Sequence, residues 1–353
     1  MGVAQMNGKD RVLCALARKP HDGRAVVPIV GQAGAALCGV SIFTHAHDPA
    51  VLASCQVRCA RRFGYDGVYI SADTWVNAEA VGYPHVEHPP DGPAGGKGGW
   101  IETARDIEAL SPPDPERSGR WPLMVRAVQE AVKLAGQDLA VIANFDQSPF
   151  SLASQLRGLE RFLIDLEESP SFAHRLLEFC AEAVTRYAIA LGRAGADVLN
   201  TGDSVAGGSV IGPALYEQFA FPYERRVISA VHEALGTPVT LHICGDATVC
   251  LERMVETGAD GIELDSAVDA SRARRTCEGR VAVIGNIDPV RVLLEGTADE
   301  VYARSREILE VFRGCDGFIL SSGCALSPKT PPANISAMVR AAREQAAAPG
   351  RSP

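Results

Sequence analysis

The chain has 353 residues, of which 46% are hydrophobic and 22% charged, and its formal net charge at pH 7 is -9. This composition is typical of a globular protein of one or two domains; no apolar run reaches the roughly 18 residues of a membrane span, and the acidic balance disfavours nucleic acid as a partner. The N-terminal residues lack a signal-peptide core and the ten cysteines are scattered, so we expect a cytoplasmic protein with reduced thiols.

Short β-branched apolar runs alternate with longer helical patterns along the chain. The eight predicted strands are Val26–Val30, Gly67–Ile70, Leu139–Ala143, Asp197–Asn200, Pro238–His242, Gly261–Leu264, Val281–Gly285 and Gly317–Leu320. Repeated strand-then-helix order implies parallel strands joined by right-handed crossovers. It predicts an α/β fold, a (β/α)8 TIM barrel, with an open flavodoxin-like sheet as the alternative. We assign residues 1–346 to this single barrel with an N-terminal helical extension, and residues 347–353 to a disordered tail.

Polar side chains follow most of the predicted strands. In barrels of this class the chemistry takes place where the carboxyl ends of the strands open into loops. The candidates at these ends are Asp73, Asp146, Asp203, His242, Cys244, Asp265, Asn286, Asp288 and Cys324. Each also has a purely structural explanation; Asp288 before Pro289, for example, is typical of a helix cap. Their coincidence at one end of the barrel favours a functional site there.

The stretch "LHICGDATVC" places two soft metal ligands at the end of the fifth predicted strand. Side chains two apart on a strand point the same way, so His242 and Cys244 can share one ion if the strand persists to Cys244. A buried His beside a buried Cys is the alternative interpretation. A catalytic zinc needs three protein ligands and an open position, and Cys324 after the eighth strand is the remaining candidate for the third.

Other potential ligands are better explained by local structure. Cys55 and Cys59 lie four apart, on one face of a predicted helix, which is typical of core packing. Cys250 lies beyond the turn after the fifth strand, where it is expected to pack the next helix on the barrel. His45 and His47 resemble a ligand pair, but they lead directly into the start of a helix.

Three longer stretches resemble a known family: "LHICGDATVCLERMVETGADGIELDSAVD", "VAVIGNIDP" and "GFILSSGCALSPKTPPANISAMVRAAR". They are similar to the uroporphyrinogen decarboxylase superfamily and, within it, to the zinc methyltransferases typified by methylcobamide:coenzyme M methyltransferases. The resemblance implies that His242, Cys244 and Cys324 hold Zn2+. The loop "NTGDSVAGGSVIGP" resembles the family's loop after strand four, which makes Asp203 a candidate fourth ligand or proton acceptor.

The resemblance implies a zinc-dependent methyltransferase that moves a methyl group between a corrinoid, such as methylcobalamin, and a thiol or methylated small molecule. We expect Asp203 and Asp73 to be catalytic, and Asn286, Asp265 and Gln32 to contact the corrinoid cofactor. The 353 residues contain no Asp-x-His-x-x-Gly stretch of the kind with which corrinoid modules ligate cobalt. The corrinoid is therefore expected on a separate protein or free in solution.

Two alternatives remain from the sequence. A uroporphyrinogen decarboxylase would place two arginines around Gln-Ala-Gly, but Gly31 and Ala35 stand there, and bidentate contacts to a polyanionic substrate would be lost. Asp73 does resemble the aspartate that the decarboxylases direct at pyrrole nitrogens. A noncatalytic binding protein that uses zinc only as a brace is the second alternative.

Overall fold

The computed structural model describes residues 6–347 and has a barrel of eight parallel strands surrounded by helices. The barrel strands are β1 (Ala25–Val26), β2 (Gly67–Ile70), β3 (Ala140–Gln147), β4 (Val198–Gly202), β5 (Val239–Ile243), β6 (Gly261–Leu264), β7 (Ala282–Ile287) and β8 (Phe318–Ser322). Neighbouring strands pair in chain order from β2 to β8, and β8 pairs with β1. This is the predicted (β/α)8 architecture.

Helices precede, connect and follow these strands. They are α1 (Gly8–Leu16), α2 (Ala33–Cys38), α3 (Ile42–His47), α4 (Pro49–Phe63), α5 (Val76–Val81), α6 (Ala104–Ala109), α7 (Trp121–Ala135), α8 (Pro149–Arg157), α9 (Leu159–Glu168), α10 (Pro170–Arg193), α11 (Pro213–Leu215), α12 (Phe221–Leu235), α13 (Leu251–Glu256), α14 (Ala270–Cys277), α15 (Ala298–Val311) and α16 (Pro332–Ala347), with a π-helical turn at Tyr216–Ala220. Among residues 6–347, no helix combines the length and the apolar character needed to cross a bilayer.

The barrel closes between β1 and β2 through one residue instead of a strand ladder. The Asp66 backbone N–H donates to the Val26 carbonyl at 2.8 Å, and the Asp66 carboxylate accepts from the Val26 N–H at 2.8 Å. The same carboxylate accepts from Arg11 on α1 and Arg343 on α16. A single buried aspartate thus joins both chain ends to the seam.

Helix α1 closes the amino end of the barrel. Its buried residues Val12, Ala15 and Leu16 pack with inward-facing side chains of the strands, among them Tyr69 and Ile284. A larger apolar layer lies between the strands and the outer helices. Because the amino end is filled in this way, the opposite, carboxyl end is the open mouth of the barrel.

The largest differences from the predicted boundaries are at β1, at β3 and at the end of α16, while β4, β5, β7 and β8 are each shifted by one or two residues. Strand β1 is only Ala25–Val26 and not Val26–Val30, because Pro28 has no N–H to continue a ladder. Strand β3 runs on to Gln147, through a register shift after Asn144 at which Asp146 adopts a positive φ of 67°. Helix α16 extends through Ala347, the first residue of the predicted tail; residues 348–353 of that prediction lie outside the described residues.

Candidate metal centre

One nitrogen and two sulfur ligands converge at the mouth of the barrel. His242 lies in β5, Cys244 one residue past its end, and Cys324 two residues past the end of β8. Their ligand atoms all lie within 4.8 Å of one another, and His242 Nε2 is 3.2 Å from Cys244 Sγ. The strand does not persist to Cys244, yet the turn that follows keeps the thiol beside the imidazole.

The orientation of the His242 ring is set by the neighbouring strand. Its Nδ1 lies 3.1 Å from the backbone carbonyl of Glu263 in β6. A carbonyl can only accept, so Nδ1 carries a hydrogen and Nε2 is the ring nitrogen that faces the two thiols. This is the arrangement in which metal-binding histidines are usually held.

The two cysteine loops are held in place by close backbone packing. Asp265 accepts a hydrogen bond from the Gly245 N–H at 3.0 Å, directly after Cys244. A Cβ at Gly323, directly before Cys324, would lie 2.5 Å from the Ser266 backbone nitrogen. A glycine is therefore required for the β8 loop to approach the β6 loop this closely. These contacts hold the two cysteines close to His242.

The side chains of His242, Cys244 and Cys324 shift one another's pKa values. Burial opposes protonation of His242, but the adjoining Cys324 thiol and the Glu263 carboxylate raise the pKa of the imidazole to about 9. The hydrogen bond with Cys324 lowers the pKa of Cys244. The same contact raises the pKa of Cys324. A divalent cation that binds here would displace the protons that these three side chains carry.

Asp203 lies beside this centre, but its side chain turns away from it. The residue is fully buried, and its carboxylate accepts from the Ser151 N–H at 2.7 Å and shares a hydrogen bond with Glu224 on α12. Burial raises the pKa of Asp203 to about 6. Within residues 6–347 the metal-ligating group comprises His242, Cys244 and Cys324 without Asp203. Asp203 contributes its backbone N–H, which donates to the His242 carbonyl at 2.8 Å.

Asp73 follows β2, and Gln32 follows β1, the strand that pairs with β8. The Asp73 carboxylate accepts two hydrogen bonds from the Arg120 guanidinium, at 2.6 and 3.0 Å, and one from the Trp75 N–H. Gln32 donates to the Ala72 carbonyl at 3.2 Å. The Asp73 carboxylate is therefore already paired, and the metal-ligating group among residues 6–347 does not include it.

Asp265 and Asn286 act on the loops around the centre. The Asn286 amide donates to the carbonyls of Asp265 at 3.1 Å and Val268 at 2.8 Å. Asp265 accepts from Gly245 and from the Ala267 N–H. Asp265 therefore joins the β6 loop to the turn after Cys244, and Asn286 joins the same loop to β7.

Glu263, a buried acidic residue next to His242, is not among the site residues predicted from the sequence. The Glu263 side chain is 1% exposed and accepts from the Tyr69 hydroxyl at 2.6 Å and the Asn200 amide at 2.9 Å. Burial raises the pKa of Glu263, and the neighbouring His242 opposes that effect. A glutamate in the middle of the buried strand "GIEL" was the signal that could have identified it, since charged residues are rarely buried without a partner.

Comparisons with known proteins identify the family of this chain. The family model described as uroporphyrinogen decarboxylase (URO-D) matches residues 7–345. A methylcobamide:CoM methyltransferase MtbA from Methanosarcina acetivorans is 35% identical over 225 residues, which is 64% of this chain and 64% of that protein, so less than two thirds of its length is matched. A uroporphyrinogen decarboxylase from Thioalkalivibrio sulfidiphilus is 31% identical over 350 residues, covering 94% of this chain and 96% of that protein.

The fold has a solved counterpart. The structure of a methyltransferase from Methanosarcina mazei superposes with a TM-score of 0.88 and 24% identity, covering 96% of this chain and 99% of that chain. At this identity the likeness concerns the fold, and it agrees with the barrel described above. The family match extends over nearly all the described residues, and the chain therefore belongs to the uroporphyrinogen decarboxylase (URO-D) family.

Proposed function

We propose that the protein is a zinc-dependent methyltransferase that moves a methyl group between a corrinoid and a small thiol or methylated compound. The observation that carries this proposal is the convergence of His242, Cys244 and Cys324 within 4.8 Å at the barrel mouth. Three protein ligands are the number found in catalytic zinc sites, where a fourth position receives water or substrate.

The donor set fits zinc in its chemistry as well as its number. Two thiols and one imidazole are borderline-soft donors that suit Zn2+, and the tautomer of His242 already directs Nε2 at the sulfurs. When bound, the zinc would hold a substrate thiol as its thiolate, which is the nucleophilic form. The Cys244 and Cys324 thiolates would add negative charge and keep that sulfur electron-rich. Glu263 supports the imidazole from below through its carbonyl.

The proposal that a corrinoid takes part rests on the names of the relatives. A relative with 35% identity is a methylcobamide:CoM methyltransferase by name, and the 353 residues contain no cobalt-ligating Asp-x-His-x-x-Gly stretch. We therefore propose that the corrinoid reaches the mouth on a separate protein or free in solution. Asp203 and Asp73 stay candidates for proton transfer, and Gln32, Asp265 and Asn286 stay candidates for contact with the corrinoid through the loops they hold.

Decarboxylation is the second candidate, favoured by the relative that is 31% identical over nearly the whole chain. Two features of this chain weigh against it. Gly31 and Ala35 supply no cation for a polycarboxylate substrate. Arg120 also occupies both oxygens of Asp73, so a substrate nitrogen would have to displace a buried ion pair.

The test is turnover of methylcobalamin with a panel of small thiols, followed by the colour change of the corrinoid. We expect methyl transfer that stops when a chelator removes the metal, and Cys324→Ser to lose zinc and rate together. Cys315→Ser is the matched control, because Cys315 is a half-buried cysteine at the opposite end of β8. Decarboxylation of uroporphyrinogen that survives the chelator would support the second candidate and contradict the first.

A further inference from the structure

A second group of thiols lies between helices α2 and α4, outside the metal centre. Cys38 ends α2, and Cys55 and Cys59 face it from successive turns of α4. The Cys38 sulfur is 3.9 Å from the Cys55 carbonyl, and Cys38 interacts electrostatically with the thiols of both Cys55 and Cys59. Cys55 and Cys59 are each 2% exposed, whereas Cys38 is partly exposed. We call these three residues the thiol cluster.

A buried hydroxyl group faces the same cluster. Tyr65 is 3% exposed, and its OH has no hydrogen-bond partner among residues 6–347. The groups that interact with it electrostatically are Cys59 and Cys38. An unpartnered buried donor is costly. Because it has no partner among these residues, the Tyr65 hydroxyl is available to donate to an oxygen bound to the sulfur of an oxidised cysteine.

We infer that the thiol cluster is an oxidation site in which Cys38 forms a disulfide with one of the two α4 cysteines. In the first step hydrogen peroxide converts the Cys38 thiol to a sulfenic acid and releases one water. In the second step the sulfur of Cys55 or Cys59 attacks the Cys38 sulfur, the S–O bond breaks, and a second water leaves with the thiol proton. Two thiols are oxidised by two electrons and one peroxide is reduced to two waters.

The surroundings set the order of the two steps. Burial raises the pKa of both Cys55 and Cys59 to about 12, so neither is a ready thiolate for peroxide. Cys38 is the accessible member and the partner common to both. Within residues 6–347 these three sulfurs do not form a set of ligands within 4.8 Å of one another, as those of the metal centre do. A disulfide is therefore favoured over a shared ion.

The disulfide would connect the mouth to the outer helices. Helix α2 begins directly after Gln32, and the Gln56 side chain on α4 already donates to the Gly31 carbonyl at 2.7 Å. A covalent bond at the other end of α2 would hold both ends of this helix on α4. The β1 loop would then be attached more firmly at the barrel mouth.

Tryptic peptide mapping of the zinc-loaded protein after hydrogen peroxide tests the inference. Cys38 and Cys55 share the tryptic peptide 25–58, whereas Cys59 lies in the separate peptide 59–61. A Cys38–Cys55 bond would lower the mass of peptide 25–58 by two hydrogens. A Cys38–Cys59 bond would join the two peptides, and fragmentation of the joined product would show whether the bond is on Cys38 or on Cys55. We expect one of these products, with a loss of two free thiols from the denatured protein.

The variant Cys38→Ser should leave both products absent, while Cys315→Ser, which alters another half-buried cysteine, should leave them unchanged. The mapping of the unaltered protein stands even if Cys38→Ser fails to fold. Over-oxidation of Cys38 to a sulfinic or sulfonic acid without a cross-link would overturn the inference. A Cys55–Cys59 disulfide that leaves Cys38 free would overturn it as well.

Discussion

The barrel mouth and the α2–α4 region each combine cysteines with a buried histidine, but the two environments favour opposite protonation states. At the mouth the pKa of His242 is raised to about 9 by Cys324 and Glu263 against the effect of burial, and the contact with Cys324 lowers the pKa of Cys244. Between the helices, burial lowers the pKa of His45 to about 4. Burial also raises the pKa of Cys55 to about 12.

The difference follows from the available partners. His242 lies between a carbonyl, a thiol and a buried carboxylate, so charge on the ring is compensated. His45 is fully buried against the Gln56 amide, and its Nδ1 has no partner among the described residues. Desolvation without a compensating charge favours the neutral form. The same residue types therefore make a metal centre in one place and a neutral packing layer in the other.

Removing one sulfur from each region should produce the largest contrast. Cys244→Ser or Cys324→Ser is expected to weaken zinc binding by more than ~100-fold, because even residues that only support metal ligands contribute 10–100-fold. Cys55→Ser should leave the zinc content unchanged. Metal analysis after dialysis measures both. Equal zinc in all three variants would remove the distinction between the two regions.

The neutral state of His45 should appear as a pH dependence of stability. The unfolded chain takes up a proton near pH 6.5, but the folded protein keeps His45 neutral down to about pH 4. Unfolding therefore binds a proton in that window, and the free energy of unfolding falls by about 3 kcal/mol as the pH decreases from 6.5 to 4. It should not change through this group above pH 6.5.

Denaturant titrations across this range check the expectation, with His45→Gln as the comparison. The variant should lose the part of the slope that comes from this residue, while the slope from carboxyl groups stays. A slope between pH 6.5 and 4 that is identical in the two proteins would contradict a neutral, uncompensated His45.

A backbone contact should have the smallest effect of the three. Gly323→Ala places a methyl group 2.5 Å from the Ser266 nitrogen and should displace Cys324, with a loss of roughly 10–100-fold in zinc affinity. Gly212→Ala is the matched control, because nothing lies within 4 Å of a Cβ there. Competition with a chromophoric chelator gives both affinities. An unchanged affinity in Gly323→Ala would mean that the β8 loop is not held by this contact.

The sequence was sufficient for the barrel and for the residues that converge. Periodic apolar runs give parallel strands. The alternation expected to join His242 and Cys244 stops at Ile243, and the turn after β5 keeps the thiol beside the imidazole. It was not sufficient for Asp203, whose position after β4 suggested a metal ligand although its carboxylate accepts from the Ser151 N–H and lies outside the metal-ligating group of the described residues. The pairing of Asp73 with Arg120 joins residues 47 positions apart, and no local pattern reveals such a contact.

The predicted ends of β1 and β3 were wrong because a single residue changed the course of the backbone in each strand. Pro28 ended β1 early, and the positive φ of Asp146 allowed β3 to continue past its bulge. Glu263 was not predicted because apolar runs indicate strands, and one charged residue within such a run does not change that indication. Yet a buried charge inside a barrel needs partners, and here Tyr69 and Asn200 supply them.

The most direct test of the account is zinc X-ray absorption on the loaded protein before and after addition of a substrate thiol. We expect two sulfur ligands and one nitrogen ligand from the protein, and an additional sulfur in the zinc coordination shell when the thiol is added. A closed shell of four protein ligands that does not change with thiol, or a shell that keeps its sulfurs in Cys244→Ser/Cys324→Ser, would contradict it.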